Sequence, residues 1–371
     1  MSYDLLLAPV TINGMKLDNR ITMAPTRDTF ATTDGFVTQA FTDFYLRRAR
    51  GGPGMLVIGA VAVTPKPSPF NLRISDDRFV PGLKDFVHQI HEESETKVCA
   101  QLFQWMKIAL NWFQDINDMT AGDIALAIDN FEQGAIRTRE AGFDAIELHG
   151  AHGYLLSESL SFKNKRQDGY GGNTDGRLAL TSEIYQRLRK TLGADFPIGV
   201  RINGDDFIVD GSSLRQSTVL ARRLAQMGLD YISVSAGGKY HDSSGLTEIG
   251  IPFPYPPVSG YSGFRAMPPA HMPEGVNVYL AAAVREAVRK AGFDTPVIAA
   301  GRIPDPKFAE SILREEKADL IALCRPLLRD PEWPNKMREG RDKEIQKCTY
   351  CNDCMDRIFK DKPALCKYLE M

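Results

Sequence analysis

AGFDAIELHGAHGYLLSESL, residues 141–160, holds the unit from which the fold is read. The amphipathic pattern Ala121–Ala141 leads into it, and Asp144–His149 follows as a short strand. Polar and glycine residues crowd the end of that strand, His149-Gly150-Ala151-His152-Gly153-Tyr154. Two imidazoles three residues apart converge from one turn. They suit a metal pair, although no carboxylate or cysteine at matching spacing adds ligands. They also suit histidines satisfied by local backbone. The reading adopted is a pair of donors aimed at a substrate oxygen, with the Tyr154 hydroxyl as a nearby proton source.

The same strand-then-helix unit recurs in both directions. Strands are expected at Ile21–Ala24, Met55–Val61, Lys97–Phe103, Asp144–His149, Pro197–Ile202, Asp230–Ser235, Pro296–Ala299 and Asp319–Cys324. Helices are expected between them at Gln39–Arg50, Pro81–Glu93, Ala121–Ala141, Arg177–Leu192, Ser213–Met227, Tyr279–Ala291 and Lys307–Glu316. Eight such strands predict an α/β fold, the parallel (β/α)8 TIM barrel. A doubly wound sheet is the alternative, but no G-x-G-x-x-G follows any of the strands. Strand ends carry Thr26, Arg27, Gln101, His149, His152, Arg201, Gly237, Gly301 and Arg325, where a barrel builds its active site.

Two segments break the rhythm. Tyr240–Gly275 is long and rich in proline and glycine, as a functional loop or lid is. Residues 341–371 carry Cys348, Cys351, Cys354 and Cys366 in the order C-x2-C-x2-C-x11-C. Four thiolates with three in a tight run suit a [4Fe–4S] cluster, while zinc more often takes two separated C-x2-C knuckles. The expected division is a barrel over 1–340 and a cysteine-rich extension over 341–371 packed on it. A formal net charge of −2 gives no electrostatic reason for a nucleic-acid or anionic-membrane partner. No apolar run is long enough to span a bilayer, and MSYDLLLAPV does not read as a signal peptide. A cytoplasmic protein with a small-molecule substrate is expected.

Several stretches in one order then carry a resemblance: LDNRITMAP, FYLRRARGGPGMLVIGAV, AGFDAIELHGAHGYLLSESL, NKRQDGYGGN, IAAGRIPDP and CRPLLRDPEW. The chain resembles the old yellow enzyme family of flavin-dependent oxidoreductases. Within it the chain is similar to the iron–sulfur branch typified by 2,4-dienoyl-CoA reductase and trimethylamine dehydrogenase. The resemblance implies an FMN-binding barrel. It implies that Ala24, Pro25, Thr26 and Ala60 pass against the flavin ring. Gln101 would donate to the pyrimidine edge, Arg201 would lie near flavin N1, and Gly301, Arg302, Cys324 and Arg325 would meet the phosphate. His149 and His152 would grip the oxygen of an electron-withdrawing group. Tyr154 would protonate carbon, with His241 in Gly238-Lys239-Tyr240-His241-Asp242 as a second proton-transfer candidate.

Arg27 departs from the family pattern. Relatives carry threonine, cysteine or histidine there, near flavin N5, so a guanidinium raises the flavin potential, binds an acidic substrate, or turns outward to a carboxylate such as Asp28. After the third strand, Gln101–Lys107 replaces the relatives' His-x-Gly-Arg, and Trp105 and Trp112 offer an aromatic pocket or scaffold packing. The expected activity is reduction of a C=C bond conjugated to a carbonyl or acyl-CoA thioester. Electrons would enter through the cluster from a ferredoxin, an electron-transfer flavoprotein or a separate reductase subunit, since no second nucleotide-binding portion follows Cys366. An amine dehydrogenase, with Asp205, Asp206 or Asp242 near the flavin, is one alternative; an electron-transfer subunit without a substrate is another. Family members are often oligomers.

Overall fold

A computed structural model describes residues 3–65, 69–105, 115–238 and 260–369. The chain starts with α1 (Asp4–Leu7) and an antiparallel hairpin of β1 (Val10–Ile12) and β2 (Met15–Leu17). The barrel alternation then begins with β3 (Ile21–Met23), α2 (Gln39–Arg50), β4 (Met55–Ala62), α3 (Val80–Glu93), β5 (Lys97–Phe103) and α4 (Ala121–Glu140). It continues through β6 (Ala145–Gly150), α5 (Leu155–Leu160), α6 (Thr174–Leu192), β7 (Ile198–Asn203), α7 (Leu214–Met227) and β8 (Tyr231–Ser235). The rest comprises α8 (Gly260–Ala266), α9 (Val278–Lys290), β9 (Val297–Ala300), α10 (Pro306–Arg314), β10 (Leu320–Leu323), α11 (Arg325–Arg329), α12 (Trp333–Arg338) and α13 (Asp353–Phe359). Strands β3 to β10 pair in parallel and close on themselves, β10 against β3. This is the (β/α)8 TIM barrel that the strand count predicts.

Alternation explains the packing. Met55 and Val57 of β4 point into the barrel, whereas Leu56 and Ile58 join the layer beneath the helices. Helices start where the chain supplies caps: Thr120 and Asp123 form a capping box on α4, and Asp305 accepts from Phe308 N ahead of Pro306 in α10.

The hairpin closes one end. Its Ile12, Met15 and Leu17 form one buried cluster with Met55, Ala145, Tyr231 and Leu320, the first residues of their strands. Gly199 makes room for the Tyr231 ring, since a Cβ there would lie 2.2 Å from it. The other end is overlain by the last part of the chain. Ala364 N donates to Asp28 O (2.9 Å), and the Tyr350 hydroxyl donates to Ile303 O (3.0 Å). Among the described residues no helix is long and apolar enough to cross a membrane.

Candidate active site

The C-terminal ends of the barrel strands surround a cavity of about 470 Å³. Ala24, Pro25, Thr26, Arg27, Ala60, Gln101, Arg201, Gly301, Arg302, Cys324 and Arg325 all line it, together with His149, His152 and Tyr154. Eight strand ends distributed over some 300 residues of chain therefore meet where the sequence expected one site. His241, Asp242 and Trp112 lie outside the described residues, as does most of the proline-rich segment up to Gly260.

His149 ends β6 almost fully buried, and its Nδ1 has no hydrogen-bond partner. His152 sits in a left-handed conformation (φ 66°) two residues beyond β6, its ring centroid 5.2 Å from that of His149. The backbone of Gly238 passes so close that a Cβ there would lie 2.2 Å from His152 Cα, which requires glycine. Burial, and then the Arg201 charge, hold both imidazoles well below their ordinary pKa. Both are neutral at neutral pH.

Ser235, at the end of β8, was not foreseen. Arg201 Nη2 donates to its Oγ (3.2 Å), and Oγ lies 2.6 Å from His152 Nε2. The hydroxyl can accept from the guanidinium and either accept from or donate to Nε2, so in both His152 tautomers Ser235 ties the ring to Arg201. The Tyr154 ring lies 4.9 Å from His149 and 4.8 Å edge-on from Trp105. Burial pushes its hydroxyl up to about 12, so it keeps its proton at neutral pH, although the Arg27 charge pulls the other way.

Gln101 has a partner inside the barrel. Its Nε2 donates to Glu147 Oε1 (2.8 Å), a carboxylate buried inside the barrel and raised from its ordinary pKa by desolvation. That bond uses one of the two amide N–H donors, and a Cβ on Gly59 would lie 3.0 Å from Gln101 Oε1. Gly301 (φ 114°) lies where a Cβ would meet Asn277 at 2.8 Å. The guanidinium groups of Arg302 and Arg325 flank the Tyr350 ring, each 4.8 Å from its centroid. Arg302 donates to Ala270 O (2.7 Å) and Arg325 to Pro268 O (2.8 Å).

Arg27 does not turn to Asp28. Asp28 is buried and accepts from the Tyr45 hydroxyl (2.8 Å) and Phe30 N (2.9 Å), while Arg27 donates to Asp361 (2.8 Å) from the chain's last segment. That segment supplies a whole wall of the cavity, Tyr350, Met355, Ile358, Phe359 and Asp361, which strand counting had no means of finding. Asp205 and Asp206 do not line the cavity: Asp205 accepts from Phe207 N (2.7 Å), and Asp206 is buried under Ser161 Oγ (2.8 Å).

Cys348, Cys351, Cys354 and Cys366 carry no disulfides and ring one small hollow bordered by Arg325, which also borders the main cavity. Among the described residues no group of three His, Cys, Asp or Glu is gathered tightly enough for a single metal ion.

A parallel barrel whose strand ends carry basic side chains, paired imidazoles and a phenol around one cavity is the layout of a flavin-dependent oxidoreductase. The chain belongs to the NADH:flavin oxidoreductase / NADH oxidase family, whose model matches residues 5–109, 106–242 and 272–344. It is 32% identical over 379 residues to NADH oxidase of Thermoanaerobacter brockii, covering 96% of this chain and 54% of that protein. It is 28% identical over 388 residues to cinnamate reductase of Clostridium sporogenes, covering 96% and 56%. The solved structure of a 2-naphthoyl-CoA reductase complex superposes with TM-score 0.85 at 24% identity, over 99% of this chain and 57% of that one. The chain thus spans about half the length of these relatives.

Proposed function

We propose that this chain is an FMN- and [4Fe–4S]-dependent oxidoreductase that reduces a C=C bond conjugated to a carbonyl or acyl-thioester. The observation that carries this reading is the convergence of His149, His152 and Tyr154, two neutral imidazoles and a protonated phenol, in one cavity. The name of the Clostridium sporogenes relative favours the same direction.

Ala24, Pro25, Thr26, Ala60, Gln101, Arg201, Gly301, Arg302, Cys324 and Arg325 would hold FMN, and the unpartnered His149 Nδ1 and the close-packed Gly59 and Gly301 fit such a guest. When bound, FMN supplies two-electron hydride chemistry at N5. His149 and His152 bind the substrate carbonyl oxygen and polarise the double bond without placing a fixed positive charge on it. Tyr154 holds the proton that the α-carbon takes up, and the phenolate regains one from water. Arg201 would offset negative charge on the bound flavin, and through Ser235 it steadies the His152 ring. Trp105 and Phe359 exclude water.

Cys348, Cys351, Cys354 and Cys366 would hold the cluster, which supplies one-electron traffic. The exposed Cys351 leaves that hollow open to a protein partner. Anaerobic reconstitution with iron and sulfide is expected to give about four irons per chain, and Cys354→Ser to lose them.

Amine oxidation is the weaker reading. Asp361 is the one acidic side chain among the described residues lining the cavity, and it is paired with Arg27. The test is anaerobic stopped-flow mixing of chemically reduced protein with enones, enoates and enoyl-CoA thioesters. Rapid flavin reoxidation by one of them is the expected result. Inertness toward all of them, with bleaching of the oxidised protein by an amine, reverses the direction.

A further inference from the structure

We infer that the substrate of this cavity carries a free carboxylate, and that Arg27 receives it in place of Asp361; this rests on the ene-reductase reading above. Four arginines line the cavity, and three have work assigned. Arg201 faces Glu147 and Ser235, and Arg302 and Arg325 lie where the FMN phosphate is expected. Arg27 remains, on the catalytic side, close enough to Tyr154 for its charge to pull down the phenol.

Its guanidinium is only partly committed. Nη2 donates to Pro69 O and Asp361 Oδ1, both at 2.8 Å, whereas Nη1 meets Ile358 O only at 3.5 Å and the buried Nε has no partner. The Asp361 side chain is half exposed, and a pair of that kind holds weakly in water. A carboxylate entering from the cavity and replacing Asp361 at Nη2 can also take the buried, unpartnered Nε–H, and two parallel N–H donors grip it more strongly than the single bond to Asp361. Around this cation the walls are apolar or aromatic: Trp105, Tyr154, Met355, Ile358 and Phe359. The complementary ligand is an unsaturated acid with an apolar body. Asp361 belongs to the same segment as the cysteines, so the acid competes with a tether of the cysteine-bearing segment.

The experiment titrates the oxidised, FMN-loaded protein with sorbate and with the methyl ketone of the same carbon chain, following the flavin spectrum. It compares wild type, Arg27→Gln and Asp361→Asn, with FMN content and thermal melting checked for each. R27Q is expected to weaken the acid at least about tenfold more than it weakens the ketone. D361N is expected to tighten the acid relative to the ketone, because the competing carboxylate is gone. Parallel shifts of acid and ketone in both variants would overturn the inference. So would binding of the ketone without the acid, which leaves the ene-reductase reading intact. If neither compound binds oxidised protein or reoxidises reduced protein, that reading fails and the inference falls with it.

Discussion

The two ends of the barrel are built on opposite principles. At the start of the strands, Ile12, Met15 and Leu17 of the hairpin seal the interior with apolar contacts, each at most 8% exposed. At the other end barrel strands finish in Gln101, His149, Arg201 and Ser235, buried polar groups set around an open cavity. Burial at the first end stabilises the fold. At the second it keeps imidazoles neutral and a phenol protonated, which is costly to the fold and useful to the chemistry.

The sharpest way to break this comparison is at the polar end. Tyr154→Phe is expected to slow reoxidation of the reduced protein by substrate about 10²- to 10⁴-fold, with melting temperature and FMN content nearly unchanged. A smaller rate effect in single-turnover mixing would remove the phenol as proton source. At the sealed end, Leu17→Ala is expected to cost about 2–5 kcal/mol in denaturant unfolding while leaving the flavin spectrum and turnover as they are. An altered flavin spectrum there would mean that the two ends are not separable.

Acid should act on the polar end through its two buried histidines. Both histidines have folded pKa values below the unfolded value of about 6.5, so the unfolded chain binds more protons beneath that pH. Their contribution is fully present above about pH 6.5 and is lost as pH falls toward the folded values, by about 1 kcal/mol per histidine over the first unit. Replacing both with glutamine should remove the histidines' part of that fall, making the loss of unfolding free energy between about pH 6.5 and 5.5 smaller than in wild type. The smallest effect is assigned to Ser235→Ala, a several-fold loss of rate. Ring nitrogen resonances of His152 should shift in that variant, because Nε2 loses its hydroxyl partner; an unchanged spectrum would deny Ser235 its positioning role.

Much of this was legible in the sequence because barrels convert strand ends into one place. Once eight strands were counted, Thr26, Gln101, His149 and Arg201 had to face a common mouth, however distant in sequence. Ser235 and Glu147 were not legible, because a serine or glutamate in a buried strand carries no local signal until its cross-strand partner is known. The bond between Gln101 and Glu147 was hidden with it. Tyr350, Phe359 and Asp361 escaped because a short cysteine-bearing segment has no periodicity that says which face of the barrel it covers. The destination of Arg27 depended on that same segment.

The most direct measurement is product analysis after an anaerobic single turnover, with FMN-loaded protein reduced stoichiometrically and mixed with a conjugated enoate or enoyl thioester. The account predicts one saturated product for each flavin reoxidised. Reoxidation without the saturated product, or a flavin that stays reduced in the presence of every such compound, would contradict it.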